Sequence, residues 1–350
     1  MTFPSTKRLV TSVAAAALLA GCSGSQSALN SSQAIPQSSH VSAASRQGFS
    51  PSLKPVVSHL NRPSTGKSWA NPAAASSKAL MYVSELGNGT VNFYKYTGGN
   101  SPALQGTLSG FEFPTPGCTD NKGNVFIPDF DLETITEYAY GKTTPSQTLS
   151  DSGYEPFGCS VDPTTGDLAV ANFDSGTVSI YTGAAGTPAV YSVSNDPIDE
   201  YVAYDNSGDL YVAGRNSSSV YQLAEAVSGS TTFNTVNVTG GSIAFPGQIQ
   251  WGGTYLLLGD QGSGYGSSVN QATVSGGTAT ITKNIPLSGS SDVVGGYKRG
   301  DGPSGTATYA GPDYGLNAGY TYAFPAGSQM SSFAGSDEPY GAVIVQKKGK

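Results

Sequence analysis

Pro156-Phe157-Gly158-Cys159-Ser160-Val161-Asp162, followed by Thr165-Gly166-Asp167-Leu168-Ala169-Val170, decides how this chain folds. Two short apolar runs flank a Gly-Asp pair, and such a pair supplies the positive φ that a tight hairpin between two strands requires. The same pattern stands upstream in Pro116-Gly117-Cys118-Thr119-Asp120 and Lys122-Gly123-Asn124-Val125-Phe126-Ile127. It stands again downstream in Tyr201-Val202-Ala203-Tyr204-Asp205 and Ser207-Gly208-Asp209-Leu210-Tyr211-Val212-Ala213. Each copy is followed by a third strand, Thr134–Tyr138, Thr177–Tyr181 or Ser219–Leu223, and then by a variable fourth such as Ala189–Val193. The copies recur every 41 to 45 residues. No helical period appears anywhere along them.

Weaker copies run from Pro246-Gly247-Gln248-Ile249 through Tyr255–Leu258 and from about Ser291 to Ala334. The first unit, Leu80 to Gly110, has Met81-Tyr82-Val83 but no Pro-x-Gly strand before it. Pro339-Tyr340-Gly341-Ala342-Val343-Ile344-Val345 at the far end supplies the missing strand. Units beginning near residues 111, 154, 197, 243 and 290, plus the shared one, make six. Four-stranded units of this length predict an all-β, six-bladed β-propeller whose C-terminal strand closes the first blade. The 46 glycines and 20 tyrosines, with only 12% charged residues, suit such a turn-rich fold.

In this register residues 80–345 resemble the NHL-repeat and SMP-30/gluconolactonase-like families, and the resemblance argues the fold more strongly than the chemistry. The metal-dependent hydrolases among them use carboxylates and amides at the channel mouth, hard oxygen ligands suited to Ca2+ or Mg2+. The corresponding loops here carry Glu112, Glu155, Asp199 with Glu200, Asp292, and Asp337 with Glu338, which are candidates for a carboxylate ring around one opening. The turns between second and third strands add Asp129-Phe130-Asp131, Asn172-Phe173-Asp174, Arg215-Asn216-Ser217 and Asp260-Gln261-Gly262. Turn chemistry accounts for these, and Asp-x-Asp beside glycine is also a calcium pattern. The only histidines, His40 and His59, precede the repeats, so no Ser-His-Asp or Cys-His arrangement can be built from the repeat residues. Cys118 and Cys159 read as equivalent positions on neighbouring innermost strands, either a disulfide or two buried thiols. The phenylalanines and tyrosines read as packing between blades.

Ahead of the repeats, Lys7 and Arg8 precede an apolar run, Leu9 to Ala20, that is too short to span a bilayer. The run ends in Leu19-Ala20-Gly21-Cys22, which resembles a bacterial lipobox. This implies a signal peptide over 1–21, a lipid on Cys22 and, with Ser23 next, an outer-membrane address in a two-membrane envelope. Residues 22–79 are rich in Ser, Ala, Gln, Asn and Pro, and read as a disordered, lipid-anchored linker ahead of a propeller domain over 80–350. The linker holds five basic and no acidic residues, whereas residues 80–350 hold all 24 acidic and ten basic ones, a charge of -14. So acidic a body repels phosphate backbones, which excludes nucleic acid as a partner class. The expectation is a monomeric, membrane-anchored, extracytoplasmic binding or scaffold module for a protein, glycan or cation. The alternative is a divalent-metal-dependent, lactonase-like hydrolase.

Overall fold

A computed structural model describes residues 66–173, 175–193, 198–216, 218, 220–262, 266–300, 307–333 and 337–348. The signal and lipidation readings, Cys22 included, lie outside them. The body begins earlier than composition suggests, because Trp69–Ala70 (β1) already pairs with a blade strand.

The strands follow in chain order as Ala79–Glu85 (β2), Thr90–Lys95 (β3) and Ala103–Ser109 (β4); Cys118–Thr119 (β5), Val125–Asp129 (β6), Thr134–Tyr138 (β7) and Gln147–Ser150 (β8); and Pro156–Val161 (β9), Leu168–Asn172 (β10), Thr177–Tyr181 (β11) and Ala189–Ser192 (β12). Next come Ile198–Tyr204 (β13), Leu210–Arg215 (β14), Tyr221–Ala226 (β15) and Asn234–Thr235 (β16), then Asn237–Thr239 (β17), Pro246–Trp251 (β18), Leu256–Asp260 (β19), Ser268–Ser275 (β20) and Thr278–Pro286 (β21). The last are Tyr297–Arg299 (β22), Thr308–Asp313 (β23), Ala318–Ala323 (β24), Gln329–Phe333 (β25) and Pro339–Gln346 (β26). They form six sheets, here blades 1 to 6, ordered β1-β4-β3-β2-β26, β5 to β8, β9 to β12, β13 to β16, β18-β19-β20-β21-β17 and β22 to β25. This is the six-bladed propeller. β26 lies innermost in blade 1, antiparallel to β2, with Leu80 opposite Val345 and Ser84 opposite Gly341. Besides β1, β17 has no counterpart in the sequence reading: it adds in parallel to the outer edge of blade 5.

The core lies between the blades. Along β2, Leu80 and Tyr82 pack with Val125, Ile127 and Tyr138 of blade 2, while Ala79, Met81 and Val83 pack with Ala310 and Phe333 of blade 6. A strand buried on both faces reads as a continuous apolar run rather than an alternation, which is why Ala-Leu-Met-Tyr-Val is unbroken.

The inner strands approach backbone to backbone at glycines. A Cβ on Gly158 would lie 2.8 Å from the Glu200 carbonyl oxygen, and one on Gly341 would lie 2.5 Å from the Pro116 Cα. The glycine shared by the inner-strand motifs therefore sets how narrow the axis can be.

The cysteines correct the sequence reading by one residue. Cys118 faces Phe126, three residues before the end of β6, whereas Cys159 faces Val170, two before the end of β10. Because strand side chains alternate, that offset turns the two toward each other across the gap between blades 2 and 3. They are joined as a disulfide with Cα atoms 5.5 Å apart. Truly equivalent positions would have pointed the same way around the ring.

Candidate functional site

Every blade ends its second strand on a polar or charged residue at the same face of the ring: Glu85, Asp129, Asn172, Arg215, Asp260 and Asp313. The Asp129 carboxylate accepts from the backbone N–H groups of Glu112, Phe113 and Leu132. Asp260 accepts from Ala244, Phe245 and Gly262, and Asp313 from Ser291, Asp292 and Leu316. Each clamps the loop entering the innermost strand to the following turn, satisfying donors that burial would otherwise orphan. The Asp-x-Asp signals read from sequence thus hold backbone at Asp129.

Three candidate acids share one position in this repeat. The Glu155, Asp292 and Glu338 carbonyls accept from the N–H groups of Phe173, Tyr314 and Leu86, each just beyond the last residue of a second strand. Glu112 stands one residue out of step, since in its blade Phe113 makes the equivalent bond, to Phe130. Asp199 lies in β13, and its side chain is outside the described set. Glu200 turns inward, fully buried, with its Oε1 2.9 Å from Arg215 Nε, and Arg215 is 2% exposed. The Arg215 guanidinium also lies 4.1 Å over the Phe245 ring, a cation–π contact. Among the described residues no three His, Cys, Asp or Glu side chains are grouped to hold a metal ion. Of the loop acids expected to line one opening, Glu155, Asp292 and Glu338 share one place in the repeat, Glu112 is one residue out of step and Glu200 faces the interior.

What fills the acidic end is aromatic. Phe113, Phe157, Phe173, Tyr201 and Tyr340 are buried in one cluster with Leu86, and Phe130, Phe245 and Tyr314 pack against it. Phe157 makes edge contacts with Tyr201 and Tyr340 at centroid distances of 5.5 and 5.9 Å, and Phe113 and Tyr314 reach Tyr340 at 5.7 and 5.9 Å. These rings come from several blades and meet on the axis. The sequence reading had assigned them only to packing between adjacent blades. Around this plug, Leu132 and Leu316, 39% and 45% exposed, stand three residues after Asp129 and Asp313 on corresponding turns, and Val220 is exposed at the same end.

At the opposite end the described residues leave a cavity of about 400 Å3 between the ends of the six inner strands. Sequence reasoning missed it, having placed the candidate site at the other end.

The acid groups carry a pH signature. Burial pushes the Glu85 carboxyl up to about 8, against hydrogen bonds from the Asp337 N–H and Asn92. Burial, and then the charge of Asp313, push Asp292 to about 8 as well. A raised carboxyl pKa gives stability that is full below the unfolded value, 4.5 for Glu85 and 3.8 for Asp292, and is lost as pH rises through about 8. The melting temperature is therefore expected to fall from pH 5 to pH 9, by on the order of 10 °C or more. Calorimetry of Glu85→Gln with Asp292→Asn should return a flatter profile.

No protein-family model matches the chain, and no curated protein matches it. Among solved structures, a chain from the crystal structure of a nidogen/laminin complex is similar to it with a TM-score of 0.62. The similarity covers 77% of this chain and 100% of that one at 12% identity. The likeness is one of fold. It agrees with the six-bladed ring and assigns no chemistry to it.

Proposed function

We propose that this chain is a lipid-anchored, extracytoplasmic binding propeller that docks a basic protein surface on its aromatic-plugged end. The observation that carries the reading is the pair of exposed leucines, Leu132 and Leu316, on corresponding turns beside the plug. Glu112, Asp131, Glu133, Asp337 and Glu338, each at least partly exposed, lie on loops at this end of the ring. An apolar centre with a charged rim is the anatomy of a protein interface, and acidic loops at that end select a basic partner. The filled axis at this end favours binding over hydrolysis, since a substrate has no cleft to enter. The similar chain comes from a complex between proteins, which supports a protein as the partner class. The lipid anchor rests on the order of charge, apolar run and Cys22.

The test is a photo-crosslinker at position 132 of the full chain, expressed in a bacterial envelope. A single basic partner should be captured in proportion to the bait and lost at least tenfold in Leu132→Asp with Leu316→Asp. Charge reversal at Glu112 and Asp337 should weaken capture, and salt should weaken it further. Equal capture by wild type and the leucine variant would sink the reading.

A further inference from the structure

We infer that the platform around Leu132 and Leu316 has an occupant within this same chain: residues 49–62 dock on it as a tethered ligand with which any outside partner must compete. The inference shares its surface with the proposed protein interface, but it rests on where the chain enters the ring and needs no outside partner.

The chain enters the ring through β1, with Trp69 and Ala70 opposite Thr107 and Gly106 of β4. Hydrogen bonds fix the entry: the Asn71 N–H donates to the Gln105 carbonyl at 2.7 Å, and the Ser109 N–H to Ser68 Oγ at 2.9 Å. Glu85, the last residue of its second strand, pairs with Thr90, and Thr90 pairs with Ser109. Ser109 therefore stands at the plugged end of the ring. Because β1 is antiparallel to β4, the residues before Trp69 run toward that end, and a Cβ on Gly66 would lie 3.6 Å from Ser109 Oγ. Blade 1 packs between blades 2 and 6, so the entry point lies between the blade of Leu132 and the blade of Leu316.

The segment matches this surface in both apolar and charged character. Phe49, Leu53, Val56, Val57 and Leu60 follow one another within residues 49–60, whereas residues 23–48 hold only Leu29, Ile35 and Val41 as large apolar side chains. Arg46, Lys54, Arg62 and Lys67 add four positive charges, with no acidic residue between 22 and 79. Beside the entry, Glu112, Asp131 and Glu133 lie on loops of blade 2, and Asp337 and Glu338 on the loop into β26, each at least partly exposed. Attraction over several ångströms follows the summed charge of these loops and requires no single carboxylate to be unpaired.

Tethering makes weak docking sufficient. Arg62 and Phe49 precede Gly66 by 4 and 17 residues. Extended chain of those lengths reaches about 14 Å and about 60 Å, so the segment can lie across the loops of blades 6, 1 and 2. So short a tether holds its ligand at an effective concentration on the order of 1 mM. A docking constant of only about 100 µM would then keep about nine-tenths of the molecules docked and weaken an outside ligand about tenfold.

The two histidines serve as reporters, His59 inside the segment and His40 outside it. In the full chain labelled at histidine, the NMR ring signals of His59 should be shifted and broadened relative to those of His40. Leu132→Asp with Leu316→Asp, or sodium chloride at about 0.5 M, should make them alike. A photo-crosslinker at position 132 of the purified full chain should join residues 49–62 of its own molecule, at a yield independent of protein concentration. Lys54→Glu with Arg62→Glu should cut that yield at least about fivefold, and adding Glu112→Lys with Asp337→Lys should restore it. A yield indifferent to these charges, or crosslinks formed only between chains and rising with concentration, would overturn the inference, the second in favour of another copy as occupant. Capture of an outside basic protein with no crosslink to residues 49–62 would overturn it and leave the proposed function standing, whereas no crosslink of either kind would remove both.

Discussion

Replacing Arg215 by methionine is expected to destabilise the propeller by about 3 to 5 kcal/mol, lowering its melting temperature by roughly 6 to 15 °C. The basis is the burial of both partners, Glu200 at 0% and Arg215 at 2% exposure. Burial already pushes the Glu200 carboxyl up to about 7, against the pull of Arg215. Without the guanidinium nothing opposes desolvation, so Glu200 must fold protonated or stay charged at high cost. The deficit should therefore widen as pH rises from 5 to 8, since the folded variant holds a proton that the unfolded chain gives up above 4.5. The double variant Glu200→Leu with Arg215→Met removes both charges and should recover most of the loss. Thermal melts of wild type, single and double variants across that pH range would settle it. A single variant as stable as wild type would show that Arg215 is replaceable at this site.

The second large effect concerns the bond between blades. The disulfide closes a loop of 41 residues, which by chain entropy contributes about 4 kcal/mol. Cys118→Ala with Cys159→Ala should lose an amount of that order, and reduction of wild type should match it. Apolar neighbours Phe126, Ile135, Leu168 and Val170 surround the pair, so alanine leaves no orphaned polar group to confuse the measurement. Amide exchange should loosen first in β5 and β9, the inner strands that the bond ties together. A melting temperature indifferent to reductant would show that blade packing alone holds that gap closed.

The ring, its count of blades and its closing strand were legible in the sequence because each rests on local, repeated signals: a hairpin turn, an apolar run, a fixed period. The candidate site was less legible, for reasons that are also physical. Asp129, Asp260 and Asp313 each lie 15 or more residues from backbone groups they clamp, so sequence shows only their turn chemistry. The facing of Cys118 and Cys159 depends on strand parity, and a slip of one residue reverses it. The aromatic plug gathers Phe113, Phe157, Tyr201 and Tyr340 from four inner strands or the loops that lead into them, and its existence follows only once the ring has closed. β17 is three residues long and carries no alternation from which a parallel pairing could be foreseen.

Closure by β26 also imposes an order of events on the newly made chain. The partner of Ala79–Glu85 is Pro339–Gln346, so a ribosome must pass residue 346, more than 250 residues after β2, before the first blade can be completed. Until then β2 presents a long edge, apolar from Ala79 to Val83, with no neighbour on that side, the kind of edge that recruits other chains. Nascent-chain length, rather than blade stability, sets when this protein becomes safe from self-association, and stop codons placed just before residue 339 should yield aggregates instead of a five-and-a-half-bladed monomer.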